Sequence, residues 1–254
     1  MILCRYSWLV LAGVLLSGCV FWTRNTDPIQ IVLIGDSITQ GRRGNPEQNQ
    51  SPTISWRYYF WQKLVADKIR FDLVGSRQSG FEGDPPWPQY QGQAFDRDHE
   101  ARWGAPTEVI AAQVSIGLQS YRPDLALILL GTNDVRLDQA QGKDPVQATQ
   151  ADMTHLIQLL RQANPDVVIV LGEPFQPWDP FPAIAVGYQQ LATQLSTPRS
   201  PILTVKTQTD WISDPDKAET CTVDWVHPNI KGDKLIAEAF YQGIKPFLKS
   251  LPHP

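Results

Sequence analysis

The 254-residue sequence is poor in cysteine, with three, and in histidine, with four. Three cysteines cannot make the paired framework of a disulfide-stapled domain. Charged residues are only 19% of the chain and the net charge is −4, which argues against the basic stripe of a nucleic-acid binder. Internal repeats and low-complexity tracts are missing too. Hydrophobic residues reach 42%, enough for a core, so disorder of the whole chain is excluded. A chain of this length buries roughly 70–75% of its unfolded surface, so one large domain is sufficient. What is plentiful is tryptophan, with nine residues.

The first 18 residues read as an address rather than as fold. Arg5 supplies a positive start, Trp8 to Leu16 an apolar run, and Leu16-Ser17-Gly18-Cys19 follows. The run is shorter than the about 20 apolar residues a membrane-spanning helix needs. Small residues before a cysteine resemble a bacterial lipobox, in which Cys19 becomes the lipidated first residue of the mature chain. The expected division is a signal peptide over 1–18, a tether over 19–28 and a folded domain over 29–254. The protein would then be exported and held by lipid at a bacterial membrane, on its periplasmic or cell-surface side. An uncleaved anchor helix is the alternative. On this reading Cys4 is removed, Cys19 is modified and Cys221 remains alone, a small buried filler.

Beyond the tether, apolar runs rich in β-branched residues recur at Ile31–Ile34, Phe71–Val74, Leu125–Leu130, Val167–Leu171 and Ile202–Val205. Their length and lack of alternation suit strands buried on both faces. Helical segments are expected at 54–68, 106–119, 145–163, 183–195 and 230–249. Within 145–163, Val146, Met153, Leu156, Ile157 and Leu160 keep helical spacing, and Pro165 marks the stop. Strand–helix alternation repeated five times predicts an α/β fold, a three-layer αβα sandwich around a parallel sheet. Ligands in such folds bind beyond the carboxyl ends of the strands, so the residues that follow each strand matter most.

Those residues are polar and distinctive. Gly35-Asp36-Ser37-Ile38-Thr39 follows the first strand, and Gly131-Thr132-Asn133-Asp134 the third. His99-Glu100-Ala101-Arg102-Trp103-Gly104 lies between the second strand and its helix. Asp224-Trp225-Val226-His227-Pro228-Asn229 closes a long loop after the fifth. Each piece alone is common. Together and in this order they resemble the motif blocks of the SGNH hydrolases, also called GDSL esterases, and most nearly the carbohydrate esterases that include acetylxylan esterases. The resemblance spans roughly residues 29–250. One block departs: His99-Glu100-Ala101-Arg102-Trp103-Gly104-Ala105 stands where those relatives carry His-Glu-Gly-x-Ser-Gly-Trp, although Gly104 keeps its place.

Residue chemistry and resemblance agree on roles. Ser37 suits a nucleophile that needs a base to take its proton. Among four histidines, His227 has Asp224 three residues earlier, a spacing that lets a carboxylate hold one imidazole nitrogen; His99, near Gly104, is the competitor. The resemblance implies an oxyanion hole made by the backbone N–H groups of Ser37 and Gly104 and the side-chain amide of Asn133. It also implies a flavodoxin-like five-stranded sheet of order 2-1-3-4-5. Asp36 would cap or brace the site, and Thr132 and Asp134 would shape a turn. No metal or other cofactor is expected, since residue 103 is Trp where a His-Glu-x-x-His zinc motif needs His.

The substrate is less sharply marked. Phe81, Trp87, Tyr90, Phe95 and Trp103 crowd a proline-broken loop from 77 to 103. Long loops in compact domains tend to be functional. Trp87 and Trp103 are therefore expected to bind substrate, with Trp178 and Trp225 near the rim, unless the rings merely pin the loop. The expected activity is hydrolysis of small acyl esters, acetyl above all, on a carbohydrate. A lipid-directed esterase, lysophospholipase or thioesterase is the alternative, and a non-catalytic binding lipoprotein the third class. The expected partners are this ester substrate and a membrane reached through the lipid, with no nucleic acid, and the chain is expected to be a monomer.

Overall fold

A computed structural model describes residues 27–44 and 52–248. The signal peptide, Cys19 and most of the tether fall outside the described residues. The chain runs β1 (Ile29–Gly35), α1 (Ser37–Gln40), α2 (Trp56–Ala66), β2 (Phe71–Val74), β3 (Glu100–Ala101), α3 (Thr107–Gly117), β4 (Leu125–Leu129), α4 (Thr132–Ala140), α5 (Pro145–Ala163), β5 (Val168–Glu173), α6 (Phe181–Leu195), β6 (Ile202–Lys206) and α7 (Ile230–Leu248).

The strands form one parallel sheet in the order β2-β1-β4-β5-β6. Its five longer strands thus stand in the expected order 2-1-3-4-5. Both faces are covered, because successive side chains on a strand point to opposite sides. Ile31, Leu33, Leu125 and Leu127 pack with α2 and α7, led by Trp56, Trp61 and Phe240. Val32, Ile34, Ala126 and Ile128 pack with α3, α5 and α6. This double burial explains why the strands read as unbroken apolar runs.

Helix α5 spans the residues its spacing predicts. Asp144 caps it by accepting from the backbone N–H groups of Val146 and Gln147, and Pro145 occupies the first turn, where its missing N–H costs nothing. Three elements depart from expectation. Strand β3 is two residues long and continues the line of β2, pairing Ile34 with Glu100 and Gly35 with Ala101. Helix α1 is one turn. Helix α4 replaces the expected turn at Thr132 and Asp134, with Gly131 entering it at a φ of +111°. The first two are too short to show a period, and α4 buries little apolar surface beyond Val135.

Strand β3 matters for position. It lies beside the carboxyl end of β1, so it delivers residues 102–105 to the start of α1. Buried Glu100 holds it there. Its carboxylate accepts from Ser76 N (2.7 Å), Ser76 Oγ (2.9 Å), Gln113 Nε2 (2.6 Å) and Tyr121 Oη (3.0 Å).

Candidate active site

Ser37 opens α1 directly after β1. Asp36 caps that turn by accepting from Ile38 N at 2.9 Å. Arg57, fully buried on α2, holds the far end of the turn by donating to Thr39 O (2.7 Å) and Gln40 O (3.1 Å). Burial lowers the Arg57 pKa to about 9, which still leaves it a cation at neutral pH. Gln40 ties in the neighbouring loop, its Oε1 accepting from Trp103 N at 2.6 Å. Arg102 N donates to Gly35 O at 3.1 Å. Gly104 then turns the chain at a φ of +69°, a conformation that favours glycine although a side chain would find open space there.

Asn133, in the first turn of α4, reaches the same place. Its Nδ2 donates to Asp36 Oδ2 (3.2 Å) and Ala105 O (3.3 Å). Asp134 turns the other way and accepts from Thr107 N at 3.0 Å, tying α4 to the start of α3. Burial raises the Asp36 pKa to about 7 and that of Asp134 to about 6.

The loop after β6 brings the imidazole. His227 Nε2 lies 3.0 Å from Ser37 Oγ, and His227 Nδ1 lies 2.7 Å from Asp224 Oδ2. Asp224 Oδ1 also accepts from His227 N (2.7 Å) and Val226 N (3.1 Å). A carboxylate on Nδ1 keeps the proton there and leaves Nε2 free to accept from the serine. Burial pushes the Asp224 pKa up, but the hydrogen bonds with the His227 side chain and with the two backbone N–H groups outweigh it and hold the carboxyl below its usual range. The turn is braced by Thr222, which donates to Ser213 O (2.6 Å) and accepts from Trp225 N (3.2 Å). Asn229 Nδ2 donates to Thr220 O (2.9 Å), while its Oδ1 accepts from Lys231 N and Gly232 N at the start of α7.

His99 is not at the site. It is fully buried, accepts from Ala101 N at Nδ1 (2.9 Å) and meets Ser79 O through Nε2 (3.3 Å). Burial holds its pKa well below the ordinary value, so it stays neutral and fixes the approach to β3.

A cleft of about 530 Å³ lies beside this chain of hydrogen bonds. Ile54, Trp103, Val223, Pro228 and Ile230 give it apolar walls, with Arg42 and Asp224 among its polar groups. Of the two tryptophans expected to bind substrate, one lines this cleft. Trp87 is not in this wall; it packs on Phe95 (4.7 Å between rings) and Tyr58 (6.2 Å) and pins its loop to α2. Trp103 does line the cleft. Phe81 stacks on it at 4.6 Å and His227 at 4.7 Å, nearly parallel in each case. Gln40 and Arg57 were missed by sequence reasoning. A lone arginine among Trp56, Tyr58, Tyr59, Phe60 and Trp61 was the available signal.

The family described as GDSL-like Lipase/Acylhydrolase matches residues 33–235, which include Ser37, Gly104, Asn133, Asp224 and His227. The chain belongs to that family. It is an SGNH-type ester hydrolase. No curated protein matches it significantly. Among solved structures, a carbohydrate esterase family 3 protein from Talaromyces cellulolyticus is similar at 24% identity and a TM-score of 0.69, over 88% of this chain and 99% of that one. A family 3 carbohydrate esterase from Clostridium thermocellum is 22% identical with a TM-score of 0.68, over 89% and 100%. An acetyl esterase mutant solved with acetate ion is 24% identical with a TM-score of 0.70, over 87% and 99%. At these identities the likeness concerns the fold.

Proposed function

We propose that this GDSL-family hydrolase is a serine esterase that removes small acyl groups, acetyl above all, from a carbohydrate. The observation that carries the chemistry is the continuous hydrogen-bonded chain from Ser37 Oγ through His227 to Asp224. His227 Nε2 takes the Ser37 proton as the oxygen attacks the ester carbonyl. The negative charge on the carbonyl oxygen is met by the N–H groups of Ser37 and Gly104 and by the Asn133 amide. Both present hydrogen bonds of that amide are longer than 3.1 Å, so one N–H can turn to the oxyanion at small cost. Collapse returns the proton from His227 to the departing alcohol and leaves an acyl-serine. Water then gives a proton to His227 and attacks the acyl carbon, and collapse breaks the acyl–Ser37 bond, returns that proton from His227 to Ser37 Oγ and frees the acid. Trp103, stacked on the imidazole, holds it in the plane that serves both steps.

Support for acetyl and for a carbohydrate comes from the named structural neighbours. The apolar cleft wall of Ile54, Val223 and Ile230 favours the second reading, an esterase for longer acyl chains. p-Nitrophenyl esters of acetate, octanoate and palmitate separate the two. Rates should fall with chain length, and a maximum at octanoate or palmitate would overturn the acetyl reading. Replacing Ser37→Ala should lower kcat by about 10⁴-fold or more. A purified variant with an intact rate would end the acyl-serine mechanism. We further propose a monomer tethered through lipidated Cys19, and Cys19→Ser should then leave the membrane fraction; unchanged fractionation would refute the anchor.

A further inference from the structure

Trp225 sits between Asp224 and His227 in the turn that carries the base, and it has a φ of +71°. A bulky residue is strained in that region, where glycine or asparagine fits without penalty. The conformation is imposed by the turn. Trp225 N is held by Thr222 Oγ1, Val223 N donates to His227 O at 2.9 Å, and Asp224 grips the two N–H groups that follow. The fold receives little in return for the large side chain. Trp225 is 47% exposed and stacks on no other ring among the described residues. Val223 and Ile230, which line the cleft, are exposed as well. A strained backbone that keeps a half-exposed, unstacked indole one residue from Asp224 and two from His227, both of which line the cleft, points to a ligand outside the fold.

We propose that Trp225 is a sugar-stacking subsite on the rim of the ester cleft, seating a pyranose ring of the saccharide that bears the scissile acyl group. The inference rests on the esterase reading above and deepens it. The CH face of a pyranose suits the flat indole. Sugar hydroxyls can donate to the Asp224 carboxylate one residue away, whose side chain is half exposed. A lipid phosphate at the same place would meet that carboxylate as a like charge. This assigns the aromatic platform to the base-bearing turn and leaves Trp103 to hold the imidazole.

The test uses the full chain and a ratio. kcat/KM is measured on acetylated xylan and on per-acetylated chitobiose, each divided by the value for p-nitrophenyl acetate. Trp225→Asn keeps a residue tolerant of the left-handed backbone, and should lower that ratio about tenfold for at least one saccharide. Trp225→Phe keeps a ring and should hold the ratio within about threefold. Trp225→Gly, relieved of strain, should melt no lower than the parent. An unchanged ratio in Trp225→Asn overturns the subsite. So does a parent that hydrolyses the reporter and neither saccharide, or a substitution whose one effect is loss of sedimentation with anionic vesicles. A parent inactive on every ester overturns the esterase reading instead.

Discussion

The two sides of the site are built by different means. The floor, made of α1, residues 102–105 and the start of α4, has a buried centre in α1; Ser37 is 6% exposed and Asp36 is not exposed at all, while Arg102 and Gly104 at its edge are exposed. It is joined by contacts distant in sequence, among them Trp103 to Gln40, Asn133 to Asp36 and Arg57 to Thr39. The turn carrying Asp224 and His227 is held largely from within, by bonds between residues 213 and 229, and the Asp224 side chain is half exposed. The difference fits the chemistry. A nucleophile gains from fixed, dry surroundings, and its oxyanion donors from being fixed in advance. A base must exchange protons with an alcohol and with water, so it belongs on the wet side.

Short of removing Ser37 or His227, the floor should be the most sensitive place. Asn133→Ala is expected to lower kcat on p-nitrophenyl acetate about 10²–10³-fold, a loss of about 2.7–4 kcal/mol in the transition state, with KM little changed. A change confined to KM would remove Asn133 from the oxyanion hole. A large fall in Tm with kcat intact would make it a strut for Asp36.

A substitution in the bracing of the turn should do less. Thr222→Val deletes the bond to Ser213 O and leaves Trp225 N without its acceptor, at a cost of about 1–3 kcal/mol. It should lower kcat/KM about tenfold through a less well-aimed His227. If the two sides are independent, the effects of Thr222→Val and Asn133→Ala should add within about 0.5 kcal/mol. A coupling above about 1 kcal/mol would mean that floor and turn act as one unit.

The same contrast decided what was legible in the sequence. The five long strands and α5 could be read because burial on both faces, or on one stripe, leaves a period. Ser37, Asn133, Asp224 and His227 could be singled out because each follows a strand, where ligands bind in such sheets, and the structure gathers them in one place. Strand β3 and helix α1 carry no period at two and four residues. Arg57 and Gln40 act on backbone atoms of partners far along the chain, which no local pattern records. The places of Trp87 and Trp103 were not legible, because a proline-broken aromatic loop reads alike whether its rings are presented or packed. Only the stacking on Phe95 and on His227 separates the two.

The mildest test changes only pH, and the two sides should answer it with opposite signs. Burial raises the folded Asp36 pKa to about 7 from an ordinary value of 3.8. Between about pH 4 and 7 the folded chain therefore keeps a proton that the unfolded chain releases, so this contribution to stability is complete at the acid end and lost as pH rises. Asp134, raised to about 6 by burial, acts in the same direction. Asp224 is held low, so its contribution is present above the ordinary carboxylate range and is lost as pH falls through its folded value. Urea melts of the parent, Asp36→Asn and Asp224→Asn at about pH 2.5, 4, 5.5 and 7 read both. Asp36→Asn should flatten the loss of stability between pH 4 and 7, while Asp224→Asn should reduce the loss on the acid side. Equal changes in both variants would erase the distinction between a dry floor and a wet turn. A slope unaltered in Asp36→Asn would show that this carboxyl does not titrate in the window its burial implies.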